Sequence, residues 1–349
     1  APGGALGRLR QPGGAVTDAP SGLYDRPTLV LDSGFHTTTI GRADTDAEGR
    51  FAVTSSLDKT VRVFDLDDGR LLRTLRIPAG PGNVGRADAV ALTPDGGTIA
   101  VGGWTALVPP HPIYVFDRET GELVHRIDGL PSVVRHLVFS PDGRFLAVSL
   151  EKNFGLRVFH FDAGWTEFGR DADYGERSNG VAFARGPNTC FATTSYDGWI
   201  RLYPPLTESP THGRLTPAAK VPGPAGERPF GLAFTPDGAV LAVGYDGTTA
   251  VSLLDAHTLA TIGAASTSDL AGDDLASVAW SADGNTLYAG GMYPTPERKE
   301  IVVWADGGAG ERSFLSASRN TVIGLAPLPG GDLLIAATDP WLARLASDG

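Results

Sequence analysis

Apolar and polar residues alternate along this chain in short runs, with turn residues between them at regular distances. The stretch VVRHLVFSPDGRFLAVSLEKNFGLRVFHFD, Val133 to Asp162, shows the unit best: a strand, a Ser-Pro-Asp-Gly turn, a second strand, another turn and a third strand. Period-two alternation and β-branched or aromatic residues mark each strand. In the turn, Pro fixes φ early, Asp can bond its own backbone and Gly accepts positive φ, so the chain is forced into an antiparallel hairpin.

That turn recurs as TDAEGR, TPDGGT, SPDGRF, TPDGAV and SADGNT, with its glycine at 49, 96, 143, 238 and 284. ARGPNT supplies Gly186 and LPGGDL supplies Gly331 at the missing places, which makes seven turns spaced 47 residues apart on average. A fourth strand follows in the first two units, as RLLRTLRI and ELVHRID. Four antiparallel strands per repeat of this length describe a propeller blade. A blade cannot bury both faces of its sheet alone, so blades pack face to face until a ring closes. The expected fold is all-β: a seven-bladed β-propeller of four-stranded antiparallel blades.

The last unit offers only three strands before the chain stops at Gly349. PTLVLDSGFH, Pro27 to His36, has the form of a fourth strand that belongs to no complete unit. Pairing Thr28–Asp32 beside Trp341–Ala346 would close the ring and cover an exposed sheet edge. The domain is therefore expected to run from 27 to 349, preceded by a Gly/Pro-rich linker over 1–26.

Unit 1, SSLDKTVRVFDLDDGRLLRTL, resembles a repeat of the WD family, and the resemblance extends over roughly residues 27 to 349. Ser56, Asp58 and Phe64 stand at that family's Ser, Asp and Trp positions, and His36 at its His. The resemblance implies a hydrogen-bonded chain inside the blade through His36, Ser56 and Asp58, shortened because Phe64 has no indole N–H. Ser195 and Asp197 repeat the pattern in unit 4. Elsewhere the Trp-Asp pair becomes Phe116-Asp117, Phe159-His160, Tyr203-Pro204, Leu254-Asp255 and Trp304-Ala305.

Composition narrows the function. The net charge is −11 with four lysines among 349 residues, which disfavours nucleic acid and anionic membrane as partners. No run approaches the ~20 apolar residues of a membrane span, no signal peptide is evident, and the expected location is cytoplasmic. The missing initiator Met suggests a processed or excised segment. Cys190 is the single cysteine, so no intrachain disulfide is possible, and its strand context reads as a small packed thiol.

Apparent catalytic signals dissolve on alignment. Ser195 and Asp197 could begin a triad, but they occupy blade positions and no nucleophile elbow is present. GPGNVG, Gly80 to Gly85, matches a dinucleotide fingerprint, yet a strand follows instead of a helix. DTDAEG, Asp44 to Gly49, resembles a calcium loop but is unit 1's version of the repeated turn and lacks the later Glu. The histidines have no zinc spacing. No cofactor or metal is expected.

The variable feature is the turn between the second and third strands, short in SLDKT and SYDGW but extended in GGWTALVPPHPIY and GGMYPTPERKEIV. In a propeller this turn and the loop joining blades open on one face, so Trp104, His111, Phe154, Tyr196, Trp199, Tyr245, Met292 and Tyr293 are expected on one rim. Such residues make interaction hot spots, although they can equally pack down to order their own loops. Lys59, Lys152 and Lys299 lie beside Asp58, Glu151 and Glu300 in these turns, which reads as a mixed solvated rim.

The expected function is a non-enzymatic scaffold or sensor that binds a protein or peptide and is monomeric as an isolated domain. HPIYVFDRETGEL and GLAFTPDGAVLAVG look similar to propellers in bacterial multidomain proteins that carry caspase-like, kinase or signalling domains. The alternatives are a metal-dependent lactonase or esterase of propeller type, whose acidic and Asn ligands the inner-strand segments hardly supply, and a structural oligomerisation module.

Overall fold

The computed structural model describes residues 34–186, 189–207, 211–225, 228–267, 269–270, 272, 274–293 and 298–346. The chain divides into Ala1–Phe35 and His36–Gly349, and the second unit carries the fold. Its described residues form seven antiparallel sheets, six of four strands and one of three. Helix is confined there to three single turns of 3₁₀ type.

Blade 1 shows the order: Ile40–Thr45, Phe51–Ser56, Val61–Asp65 and Leu71–Leu75 pair in sequence, each with the next. The first strand of each sheet is innermost. Those of blades 2 to 7 are Arg86–Leu92, Val134–Phe139, Ser178–Phe183, Pro229–Phe234, Ser277–Trp280 and Val322–Pro327. Each packs against the inner strand of the next blade, and Val322–Pro327 packs against Ile40–Thr45, so the ring is closed from within.

The core is distributed between blades. Each pair of adjacent blades shares one apolar layer, such as Leu137, Leu146 and Phe159 of blade 3 against Ala100, Ile113 and Leu130 of blade 2. The layer that joins last to first is smaller, built on Ala52 and Leu66 with Leu328 and Leu334. Apolar faces on both sides of every sheet are thus buried only because the ring closes.

The repeated turn works as its residues dictate. In blade 2, Thr93 Oγ1 donates to Asp95 at 2.6 Å and the Gly97 amide donates to the same oxygen at 2.9 Å. Gly96 closes the turn at φ +73°. In blade 1, Asp46 takes the amides of Arg50 and Phe51, each at 2.8 Å, and the Arg50 guanidinium at 2.7 Å, so the calcium-like DTDAEG segment spends this carboxylate on its own turn. GPGNVG is a connection between blades 1 and 2, closed by the Gly80 amide donating to Val84.

Blade 7 has three strands among the described residues, Val322–Pro327, Leu333–Ala337 and Trp341–Leu345. The segment expected to complete it, Thr28–Asp32, lies outside the described residues.

Candidate functional site

The face that carries the second-to-third-strand turns is built by a recurring backbone contact. In six blades the turn donates an amide to the loop entering the same blade, Leu57 to Thr39, Glu151 to Val133, Tyr196 to Arg177, Asp246 to Arg228, Tyr293 to Asp274 and Thr338 to Thr321, and in blade 2 the loop's Gly85 amide donates to Trp104. Both loop types therefore open on one side of the ring.

A second recurring feature aims side chains at the mouth of the central channel. Inner strands carry a β-bulge near their start, where one residue is skipped in the pairing: Gly41, Asp88, Arg135, Asn179 and Ile323. In blade 5 the register shifts between Pro229 and Leu232, around Phe230. A bulge bends its strand and re-aims the extra residue. The side chains of the mouth thus differ from blade to blade while the backbone repeats.

Arginines gather beside these bulges. Arg86 pairs with Asp88 at 2.8 Å, Arg135 with Glu151 at 3.1 Å, Arg177 with Glu151 at 3.8 Å and Arg228 with Asp246 at 3.7 Å. Tyr196 lies between the guanidiniums of Arg177 and Arg228, at 4.4 and 5.5 Å from its ring centre, and its hydroxyl bonds Asp246. Burial and that carboxylate push the Tyr196 phenol up to about 12. The expected hot-spot tyrosine is a neutral wedge in a charged frame.

Side chains at the mouth also cap the inner strands' free edges. Asp44 accepts the Leu92 amide at 2.8 Å, and His136 Nδ1 accepts the Val181 amide at 3.1 Å. Arg42 of blade 1 reaches across to blade 4 and donates to the Asn179 carbonyl at 2.8 Å, with its guanidinium 5.5 Å from the ring centre of Phe230. Burial and repulsion by Arg135 lower Arg42 to about 10, so it remains a cation at neutral pH. Burial and Arg42 hold His136 well below its ordinary value, which leaves the neutral imidazole its amide needs. No group of three or more His, Cys, Asp or Glu side chains converges as a metal site among the described residues.

The expected rim residues have unlike fates. Phe154, Trp199 and Met292 are 38%, 37% and 40% exposed, with Lys220 over the Trp199 ring at 5.0 Å. Trp104 is half-buried and meets His111 edge-on, while His111 is buried. Tyr245 is fully buried and donates to Ser252 at 3.0 Å, and Tyr293 is buried and stacked on Phe314. These inward residues order their loops and offer a partner little surface.

Two of the three rim lysines are also consumed. Lys59 donates to the Gly80 carbonyl at 2.8 Å, and buried Lys299 donates to the Met292 carbonyl at 2.6 Å. The residues that stand out instead are Leu107 and Val108, 77% and 68% exposed in the extended turn of blade 2. Their signal in the sequence is an apolar pair, with no aromatic residue, inside the Pro-bounded insertion TALVPPHP.

A cleft lined by Arg170, Asp171, Asp173, His212 and Arg214 lies where the end of the outer strand of blade 3 and the loop that follows it meet a connection of blade 4. Cys190 is half-buried against the layer between blades 4 and 5, and burial raises its thiol. No helix of the described residues is long and apolar enough to cross a membrane.

Inside blade 1 the polar chain is continuous. His36 Nδ1 bonds Asp58 at 2.9 Å, His36 Nε2 bonds Thr54 at 2.8 Å, and Thr60 donates to Asp58 at 2.6 Å. The strand partner of His36 is thus Thr54, two residues before Ser56. Ser56 instead donates to the Thr38 carbonyl and accepts the Asp58 amide. Ser195 does the same in blade 4, donating to Glu176 and Arg177 carbonyls and accepting the Asp197 amide.

Blade 4 rebuilds the chain with other residues. Tyr174 bonds Thr193 at 2.7 Å and Tyr203 at 3.0 Å, and Tyr203 donates to Asp171 at 2.7 Å. Arg201, 3.9 Å from the Tyr174 ring centre, donates to Asp197 at 2.6 and 3.1 Å. Counted from the turn aspartate, Thr193 and Tyr203 stand where Thr54 and Phe64 stand in blade 1. The positions persist while the chemistry changes.

No curated protein matches the chain's sequence. The family described as WD domain, G-beta repeat matches residues 30–65, the segment that holds His36, Thr54 and Asp58. With that one repeat matched and its blade recurring around a closed ring, the chain is a seven-bladed β-propeller similar in its first blade to the WD-repeat family.

Proposed function

We propose that this propeller is a non-enzymatic platform that binds a protein or peptide on the loop-bearing face, as the recognition part of a longer bacterial multidomain protein. Propellers of this family commonly serve as interaction scaffolds, so fold and family favour that class without naming a partner. The observation that carries the reading is the exposure of Leu107 and Val108 on that face. Large apolar side chains held out on an extended turn cost free energy in water, and a partner that covers them recovers it. Phe154, Trp199 and Met292 add apolar surface around the same ring of turns.

The test compares the native chain with the double variant Leu107→Asp/Val108→Asp, each immobilised as bait. The expected result is a defined partner retained by the native chain and lost by the variant, whose thermal midpoint is unchanged. Retention of that partner by the folded variant would remove the support for this face.

A further inference from the structure

Arg42 differs from every other arginine at the channel mouth. Arg86, Arg135, Arg177 and Arg228 each have a carboxylate partner. Arg42 has none among the described residues: its hydrogen bond is to a neutral carbonyl and its face rests near Phe230. Asp44, two residues along the same strand, is turned to the amides of Leu92 and Thr45. A half-buried guanidinium without a counter-ion is costly, and one hydrogen bond to a neutral carbonyl offsets only part of that cost.

An independent observation lies at the same place. Asn179, whose carbonyl Arg42 reaches, is the bulged residue of blade 4 and is 2% exposed. Its Nδ2 has no hydrogen-bond partner. A buried amide donor without an acceptor costs free energy comparable to a lost hydrogen bond. Arg42 therefore lacks a counter-ion and Asn179 Nδ2 lacks an acceptor, on two blades that the Arg42–Asn179 hydrogen bond brings together.

We propose that the channel mouth is an oxyanion site, in which Arg42 and Asn179 bind a carboxylate or phosphoryl group carried on a side chain of the partner. The proposal rests on the platform reading above and specifies its chemistry. An oxyanion supplies two or three acceptors to a planar guanidinium and an amide, which is the match both groups lack. The flanking arginines share three carboxylates, Asp88, Glu151 and Asp246, and Arg42 has none among the described residues. Apolar contacts at Leu107 and Val108 would supply affinity, and the oxyanion would fix register.

Sodium phosphate and sodium acetate, each compared with sodium chloride at matched ionic strength, are titrated into the full chain by calorimetry. The native chain is expected to bind at least one of them saturably. Arg42→Gln is expected to weaken that binding at least about tenfold, whereas Arg177→Gln, which removes a paired arginine from the same mouth, leaves it within about twofold. Phosphate preference assigns a phosphoryl group and acetate preference a carboxylate.

Absence of saturable binding, or equal binding by Arg42→Gln, overturns the proposal. Arg42→Met separates binding from folding: its thermal midpoint is expected to equal or exceed the native one, and a clear fall would make Arg42 a structural strut and also overturn the proposal. If partner capture depends on Leu107 and Val108 while phosphate and acetate fail to bind, the oxyanion site falls and the platform reading stands.

Discussion

Arg344, on the third strand of blade 7, donates through Nη1 to the carbonyl oxygen of Leu66 in blade 1, 2.7 Å away across 278 residues of chain. Its Nε donates to Asp332 at 2.6 Å, which holds the guanidinium in place. The contact lies beside the apolar layer between blades 7 and 1, which is the smallest among the described residues. Arg344→Ala is expected to cost about 1 kcal/mol, the usual net worth of such a bond. We propose that residues 27–33 supply the strand that completes blade 7, so that their deletion costs more and lowers the whole ring in a single transition. Calorimetry of both variants checks this, and a separate early transition for one blade would contradict it.

The His36–Asp58 pair predicts acid sensitivity. Burial alone would raise the Asp58 carboxyl, but bonds from His36, Thr60 and the Thr37 amide outweigh it and hold the group well below the usual carboxylate range. A depressed folded value contributes stability that is present above the unfolded value of about 3.9 and is lost as pH falls below it. Thermal midpoints measured from neutral pH down into acid should fall more steeply for the native chain than for Asp58→Asn. Asp58→Ala, which strips buried His36 of its partner, is expected to cost about 3 kcal/mol at neutral pH.

Asp44 predicts the opposite slope. Burial dominates there, and despite amide bonds from Leu92 and Thr45 it raises the carboxyl to about 7. A raised folded value means that the unfolded chain releases this proton first, so stability declines as pH climbs from about 4 to about 7 and levels off above. Asp44→Asn should flatten that part of the stability profile and be more stable than the native chain at pH near 8. An unchanged slope in the variant would refute the assignment.

The rebuilt polar chain of blade 4 predicts coupling. Tyr174→Phe leaves Thr193 and Tyr203 without a shared hydroxyl in a buried setting and is expected to cost about 1 to 2 kcal/mol. Thr193→Val should cost a similar amount alone and little more when combined with Tyr174→Phe, since one network is removed only once. Urea unfolding of the four-member cycle measures the coupling, and strict additivity would argue against a shared network.

Much of the architecture was legible because it rests on local rules. The Pro-Asp-Gly turns fix hairpins, period-two alternation fixes which side chains leave each sheet face, and the repeat length fixes the blade. His36 and Asp58 were also legible, since the turn places Asp58 at a set position. Thr54 was not: Ser56 and Thr54 lie on one strand with the same parity, and only the depth of the His36 ring decides which hydroxyl it meets. Tyr174 escaped notice for a related reason, since a tyrosine in a connecting loop carries no mark of the hydroxyls it will reach.

The candidate face divides in the same way. Sequence located the variable turns, but exposure within them depends on what each side chain can cover. Tyr245 and Tyr293 found apolar layers to enter, while Leu107 and Val108, at the tip of a longer loop, found none. The channel was decided by tertiary structure altogether. Arg42 and Asn179 are 137 positions apart, and nothing in either neighbourhood announces that a seven-membered ring sets them face to face. Local sequence determined the blade, because turns and alternation act over a few residues; ring closure decided the site, because it alone sets the distance between opposite inner strands.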